Sequence, residues 1–281
     1  MTASLVKLAV GCTFCLTVSA AAQTPVVGAT TSPSSVTTTP PATQPAPEAV
    51  TPAAQAGDQM VVPFHVGESA QYDVRFGALR VGSASTLVQD IEDVRGISAW
   101  HTVFRLKGGT FFFHVDDVFE SWIDRNTFSS LRFYQTQQEG SNDREKRYEI
   151  YPDRGTYTEM DKKPPRDHTG VKDPLDDGSF LFFVRTLDLE VGNTYESERY
   201  FRPERNPIRV RVLRRETIEV PAGKFACIVV QPVIKTTGIF SENGDAEVWL
   251  SDDSRHVLVQ LKSKLSFGSI NLYLRSYTPG T

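Results

Sequence analysis

Polar and apolar residues alternate along most of this chain, over residues 61–277. Tyr72, Val74 and Phe76 alternate with polar residues, and the stretch 257–265 repeats the pattern. A period of two places apolar side chains on one face of a β-strand and polar side chains on the other. This is typical of antiparallel sheets with one buried and one solvated face, so the sequence predicts a mainly β fold.

Short turns separate the predicted strands, as in Val220-Pro-Ala-Gly-Lys224. Gly, Pro, Asn and Asp in such segments favour hairpin connections. One segment differs, because apolar residues over 180–187 recur three and four positions apart. That spacing predicts a short helix, with Asp176, Asp177 or Ser179 as its cap.

A short motif occurs twice. Glu120-Ser-Trp122 recurs as Glu247-Val-Trp249, 127 residues later, in a chain with three tryptophans. The same offset relates Gly96 to Gly223, Ala99 to Ala226, Val103 to Val230 and Leu131 to Leu258. A fixed offset of this kind is typical of a structural unit present in two copies.

We therefore expect two related β-modules, at 61–140 and 188–278, joined by a connection at 141–187 that contains the helix. Four or five strands with one apolar face cannot bury that face alone. The predicted fold is an antiparallel meander of two modules forming a curved sheet, a half-barrel or a sandwich, with one short helix between them.

Residues 1–22 have the composition of a cleavable signal peptide. Lys7 is their only charge, an apolar run covers 8–18, and small residues precede a predicted cut after Ala22. The apolar run is shorter than the roughly 20 residues that cross a membrane. We expect a periplasmic, secreted or cell-envelope protein, and lipidation at Cys12 remains an open alternative.

Residues 23–57 are almost all Thr, Pro, Ala, Ser and Gln. They contain too little apolar surface to offset chain entropy, so we expect a disordered linker before a β-rich domain at 58–281. Cys227 is the only cysteine after the predicted signal peptide, which excludes an internal disulfide. It lies in an apolar run, where a buried cysteine is expected rather than a nucleophile.

Composition and motifs argue against several function classes. A net charge of −4 lacks the basic footprint of a nucleic-acid-binding protein. No nucleophile elbow, phosphate loop or dinucleotide motif is present, so no catalytic residue and no enzyme activity is predicted. His101 and His114 could approach each other across one hairpin, but two ligands are fewer than a zinc site needs. We expect no metal and no cofactor.

Asp116, Glu120 and Asp124 share one face of a predicted strand. Same-face positions four residues apart are separated by about 13 Å, which is too far for a glycosidase pair. Ion pairs with neighbouring strands are favoured for these carboxylates. A hydrolase using Glu120 with Asp116 or Glu247 remains a third hypothesis.

Aromatic and basic residues supply the candidate ligand contacts. Consecutive phenylalanines on a strand point to opposite faces, so one of them lines a groove or both faces are covered. Arginines on polar strand faces are solvated or contact anionic head groups. The candidate ligand-binding residues are Phe111, Phe113, His114, Phe182, Phe183, Arg209 and Arg211.

Several short motifs occur in a characteristic order. They are Val66-Gly67-Glu-x-x-x-Tyr72, Asp117-x-x-Glu-Ser121, Asp177-x-Ser-x-Leu181-x-Phe183-x-Arg185, Val220-Pro-Ala-Gly-Lys-Phe-x-Cys227 and Val248-Trp-Leu-Ser-Asp-Asp253. In this order they resemble the exported bacterial family known as domain of unknown function 3108, over about 63–277. The resemblance implies a β-rich domain of the cell envelope and assigns no catalytic residue.

The sequence thus favours a non-catalytic binding module that holds a lipid-like or glycan ligand, or an envelope protein, in a concave face. The alternative is a structural or assembly factor that acts through protein contacts in the periplasm.

Overall fold

The computed structural model describes residues 60–110, 113–234, 246–265 and 268–281. The predicted signal peptide, the predicted linker and Phe111 lie outside the described residues. The first strands are β1 (Ser69–Phe76), β2 (Leu79–Val94), β3 (Ile97–Thr110), β4 (Phe113–Asp124), β5 (Ser130–Glu139), β6 (Asn142–Tyr151), β7 (Thr156–Glu159) and β8 (Arg166–Thr169). After helix α1 (Ser179–Val184) come β9 (Thr194–Ser197), β10 (Ile208–Val220), β11 (Gly223–Val233), β12 (Glu247–Ser251), β13 (Leu258–Leu265) and β14 (Gly268–Thr278).

The 14 strands of the described residues form one antiparallel sheet, with β8 at one edge and β9 at the other. Its order is β8-β7-β6-β5-β4-β3-β2-β1-β14-β13-β12-β11-β10-β9. The predicted antiparallel meander is confirmed, as a single continuous sheet and not as a sandwich of two. Within the described residues, no helix has the length and apolar character to cross a membrane.

The two predicted modules meet at the centre of this sheet, where β1 pairs with β14 from Ser69↔Thr278 to Phe76↔Ile270. The connection between the modules holds more structure than the sequence indicated. Besides helix α1 it contains β6, β7 and β8, which extend the sheet beyond β5. Charged residues fill most of β6, and their dominance obscures the alternation that marks the other strands.

The sheet curls around one hydrophobic core. The backbone N–H of Ala222, in the β10–β11 turn, donates to the carbonyl oxygen of Leu274 in β14 at 3.0 Å. In the sheet order, three strands lie between β10 and β14. A direct bond from the β10–β11 turn to β14 therefore requires strong curvature of the sheet. One core cluster therefore includes residues of both halves, such as Val74 in β1 and Val212 in β10.

Helix α1 lies against the inner, concave face. Phe180, Phe182 and Phe183 are buried in the core, and the Phe182 ring packs edge-on against Phe64. The Asp176 carboxylate accepts hydrogen bonds from the backbone N–H groups of residues 178 and 179, both at 2.8 Å. Of the three caps that the sequence allowed, Asp176 supplies these bonds, three residues before the helix begins.

Irregularities occur at matching places in the two halves. The β4–β5 register shifts between Trp122 and Ile123, and the β12–β13 register shifts between Trp249 and Leu250. A bulge in β2 follows Val88, and a bulge in β10 follows Val212. Bulges occupy defined positions in a fold, so these features allow residues of the two halves to be compared position by position.

Candidate functional site

The inner face of β4 and β5 changes from apolar to polar along its length. On β5, Phe133 is followed on the same face by Gln135, Gln137 and Glu139, all of them buried. On β4, Asp117 lies directly opposite Gln137 and therefore shares its face. We call Asp117, Gln135, Gln137 and Glu139 the inner polar row.

Three side chains of this row have a buried atom without a hydrogen-bond partner among the described residues. The atoms are Oδ2 of Asp117, Nε2 of Gln135 and Oε1 of Glu139. The other oxygen of Asp117 accepts a hydrogen bond from the backbone N–H of Gln138 at 3.2 Å. An unpaired buried polar atom costs about 1–3 kcal/mol. Three such atoms close together therefore indicate a surface where bound water or a ligand supplies the remaining hydrogen bonds.

Burial raises the pKa of both carboxyl groups in the row. The pKa of Asp117 is raised to about 6, and hydrogen bonds from Gln137 and Gln138 oppose the effect of burial. The pKa of Glu139 is raised to about 7 by burial and by the charge of Asp117, against the attraction of Arg144. Near neutral pH, Glu139 therefore takes up and releases a proton, so it can donate as well as accept a hydrogen bond.

Partly exposed apolar side chains border the inner polar row. Leu106 of β3 lies directly opposite Asp117, and Phe104 lies opposite Phe119. Phe76, Phe104 and Leu106 pack on the core while remaining partly accessible. Apolar walls with a few convergent polar groups are the usual composition of a small-molecule site.

A cavity of about 500 Å³ lies at the other end of the sheet, beside the first residues of β1. A buried ion pair between Arg185 and Glu68 lines it, with Nη1 and Oε1 2.6 Å apart. The Tyr277 hydroxyl donates to Glu68, and Arg185 also donates to the carbonyl oxygens of Pro63 and Arg255. Because these polar groups are hydrogen-bonded within the protein, we infer a structural role for them. They hold the segment before β1 against the end of β14.

The residues predicted as ligand contacts do not form one site. Phe111 lies outside the described residues, and Phe113 begins β4 without a described side chain. His114 is exposed and sits opposite Gly109, near the β3–β4 tip. Phe182 and Phe183 are core residues, with exposed fractions of 5% and 3%.

Arg209 and Arg211 lie on the outer face of β10, because Val210 and Val212 between and beside them are buried in the core. Arg209 donates to Glu196 of the neighbouring strand at 2.5 Å, whereas Arg211 is exposed. The sheet therefore separates both arginines from the phenylalanines of α1. A ligand role for either group remains a prediction.

The carboxylates weighed as catalytic groups lie beside cationic or basic side chains. Lys107 lies 3.0 Å from Asp116, and Arg214 lies 2.7 Å from Glu247. Glu120 lies 3.2 Å from His101. The possible approach of His101 to His114 does not occur, because His101 sits opposite Trp122, far along β3 from the position opposite His114.

Cys227 is buried, as expected, and burial raises its pKa to about 12. A thiol with such a pKa remains protonated and unreactive at neutral pH.

The inner polar row was missed for an identifiable reason. From Gln135 to Glu139 both faces of β5 are polar, so the alternation disappears and the inward face cannot be read directly. Counting in steps of two from Phe133 gives the inward positions, because the side-chain period continues through the polar stretch. This count from Phe133 is the signal in the sequence from which the row could be predicted.

Fold and site together define an open, curved, single-sheet antiparallel β-protein whose concave face ends in unpaired polar groups. The chain belongs to the family described as protein of unknown function (DUF3108), whose model matches residues 71–275. This confirms the resemblance seen in the sequence. Among curated proteins, none matches the chain.

Three solved structures resemble the chain at low sequence identity. A beta-barrel-like protein of the domain of unknown function DUF1849 from Brucella abortus is 12% identical, with a TM-score of 0.55, and the match covers 79% of this chain and 100% of that chain. A predicted lipoprotein from Parabacteroides distasonis is 11% identical with a TM-score of 0.36, over 79% of this chain and 100% of that one. A predicted exported protein with a YmcC-like fold from Bacteroides fragilis is 9% identical with a TM-score of 0.31, over the same shares. The first likeness shows a common fold.

Proposed function

We propose that this protein is a non-catalytic binding protein of the cell envelope that holds a lipid-like ligand in its concave face. The single observation that carries the proposal is the inner polar row, where Asp117, Gln135 and Glu139 are buried but incompletely hydrogen-bonded. The apolar part of the ligand lies along Phe104 and Leu106, and its polar head meets the row.

The chemistry of the row favours a head that both accepts and donates hydrogen bonds. Gln135 offers an unpaired N–H group, and Asp117 offers an unpaired oxygen. A pKa of about 7 lets Glu139 act in either role. Ester carbonyls and hydroxyl groups meet these requirements, whereas a strongly anionic head would be repelled by ionised Asp117. A glycan supplies the same hydroxyl groups but makes less use of the apolar wall.

Two further proposals accompany this one. The predicted signal peptide and linker support export to the envelope, and the matching bulges in the two halves support an origin by duplication. Non-catalytic action is supported by the contacts of the candidate carboxylates, because Asp116 and Glu247 each lie beside a basic side chain.

Blocking the concave face tests the proposal. Leu106→Trp places a bulky ring opposite Asp117, while Arg105→Trp places the same ring on the outer face of the same strand. Protein purified from the producing bacterium would be analysed by native mass spectrometry, with extraction and identification of bound molecules. We expect a lipid-like molecule on the wild-type protein and on Arg105→Trp, and at least tenfold lower occupancy on Leu106→Trp.

The proposal fails if the wild-type protein carries no small molecule, or if both variants retain it equally. Recovery of a glycan in place of a lipid, lost only on Leu106→Trp, would retain the site and replace the ligand class. Circular dichroism of each variant checks that the fold is intact.

A further inference from the structure

A histidine on the outer face of β3 lies among three carboxylates. His101 is buried, with a side chain only 5% exposed, and its ring stacks on Trp122 at a centroid distance of 4.3 Å. Its Nδ1 lies 3.0 Å from Oε1 of Glu92 and 3.4 Å from Oδ1 of Asp90. On the other side of the ring, its Nε2 lies 3.2 Å from Oε1 of Glu120.

The contacts at Nδ1 are close but lack the geometry of hydrogen bonds. Nδ1 of His101 and Oδ1 of Asp90 are buried atoms without a hydrogen-bond partner among the described residues. Two ligand atoms bound to one ion at about 2.0–2.2 Å are about 3.0–3.5 Å apart. The distances from Nδ1 to both carboxylates fall in this range, so the separations match those of ligand atoms that share one ion.

We propose that Asp90, Glu92 and His101 bind a divalent transition-metal ion such as Zn²⁺. Their ligand atoms all lie within 4.8 Å of one another. Zinc accepts both imidazole nitrogens and carboxylate oxygens as ligands, and three protein ligands leave a fourth position for water. Asp90 and Glu92 have partly exposed side chains, so an ion reaches the buried nitrogen through them.

The surroundings supply the supporting hydrogen bonds that metal ligands require. Glu120 accepts from Nε2 of His101, which fixes Nδ1 as the free, metal-binding nitrogen. The indole N–H of Trp122 donates to Oε2 of Glu92 at 3.0 Å and orients that carboxylate. The repeated motif Glu-x-Trp therefore provides the second layer of the site in the first half of the chain.

The second half of the sheet carries a fixed cation at the equivalent place. After its bulge, β10 presents Arg214 and Glu216 where β2 presents Asp90 and Glu92. Arg214 binds Glu247 at 2.7 Å and Glu216 at 3.0 Å, and the indole of Trp249 donates to Glu216 at 2.6 Å.

Position by position, arginine thus replaces Asp90. Val229, which lies opposite Trp249, replaces His101, which lies opposite Trp122. In the second half, the positive charge at this place belongs to the Arg214 side chain. The first half has three carboxylates around a single imidazole. The guanidinium of Arg132, which lies over the Trp122 ring, is engaged by Glu149 at 2.6 Å.

Zinc titration of the purified protein tests the site. After dialysis against a chelator, calorimetry with Zn²⁺ alone should show one bound ion per chain, and Co²⁺ should give a visible absorption spectrum. The double variant Asp90→Arg/His101→Val copies the second half and should lose the binding while keeping the circular dichroism spectrum. Zinc should raise the thermal midpoint of the wild-type protein and not of this variant.

A pair of matched variants tests the supporting layer. Glu120→Gln should weaken zinc binding by about 10- to 100-fold, whereas Glu247→Gln, at the equivalent position of the second half, should leave it unchanged. The proposal is overturned if the wild-type protein does not bind zinc saturably, or if the double variant binds it equally well. A response to Ca²⁺ or Mg²⁺ without a response to Zn²⁺ would also overturn it.

Discussion

At the scale of single residues, the most consequential positions are polar side chains enclosed by the sheet. Asp117 and Asp176 are both fully buried, and burial raises the pKa of each to about 6. Oδ1 of Asp176 accepts hydrogen bonds from the Ser121 hydroxyl at 2.6 Å and from two backbone N–H groups where helix α1 begins. Within the described residues, Oδ2 of each carboxyl group has no hydrogen-bond partner. The two residues differ in position, because Asp176 caps the helix whereas Asp117 belongs to the inner polar row on the concave face.

The raised pKa of Asp117 predicts how stability depends on pH. Folding raises the pKa from 3.8 to about 6, so between these values the folded protein holds a proton that the unfolded chain has released. The contribution to stability is complete below about pH 4 and is lost as the pH rises through 6. Asp117→Asn should therefore make the fall in unfolding free energy between pH 4 and pH 7 less steep, by on the order of 2 kcal/mol.

Urea unfolding at several pH values measures this difference. Asp116→Asn is the matched control, because Asp116 lies on the outer face beside Lys107. An Asp117→Asn profile parallel to that of the wild-type protein would contradict the prediction.

The sequence predicts residues well where one property decides their position. Cys227 and the acidic cap at Asp176 follow from local pattern. The cluster of Asp90, Glu92 and His101 does not, because its ligands come from two strands. Their approach depends on the β2 bulge after Val88, which shifts the register by one residue. No spacing rule for metal ligands along the chain detects such a site.

At the scale of elements, helix α1 is seated through one tight contact. A Cβ atom added to Gly178 would lie 2.4 Å from Oγ of Ser121, the hydroxyl that donates to Asp176. Glycine is therefore needed where the chain enters the helix, although its φ of −83° is ordinary. The close approach fixes the helix against β4.

Gly178→Ala should destabilise the protein by about 1–3 kcal/mol, because the added methyl group displaces the Ser121 hydroxyl from a buried carboxylate. Thermal or urea unfolding measures the change. Ser121→Ala removes the clashing oxygen, so the double variant should be scarcely less stable than Ser121→Ala alone. If the losses of stability from the two single substitutions instead add up in the double variant, this contact does not position the helix.

Element prediction succeeded where alternation is strong and failed where charge dominates. The strands β10, with Val210 and Val212, and β14 follow the expected period. The strand β6 is rich in Asp, Glu, Lys and Arg, so its place in the sheet is set by pairing with β5 and not by its own pattern. Tertiary pairing is not contained in a local window of sequence.

At the scale of the whole molecule, both halves share a single core. The cluster joins Val74 and Ile123 of the first half to Val212 and Val248 of the second. Neither half buries its apolar face alone. We therefore expect the domain to unfold in one cooperative transition.

The positions of tryptophan and cysteine make this measurable. In a Trp249→Phe variant lacking the predicted signal peptide, Trp100 and Trp122 report on the first half by fluorescence. Thiol labelling of Cys227, which is buried, reports on the second. The two midpoints in urea should coincide, and two separate midpoints would mean that the halves are independent domains.

The pairing of β1 with β14 has a consequence for the order of assembly. Ser69 pairs with Thr278, across almost the full length of the folded chain, and this pairing forms the middle of the sheet and not its edge. Long-range pairing of this kind is slow to form. A chain delivered from its N-terminus can complete hairpins on either side, but its central join waits for the final strand. Until β14 has been made, β1 therefore lacks its partner, and the sheet is joined at its midpoint last.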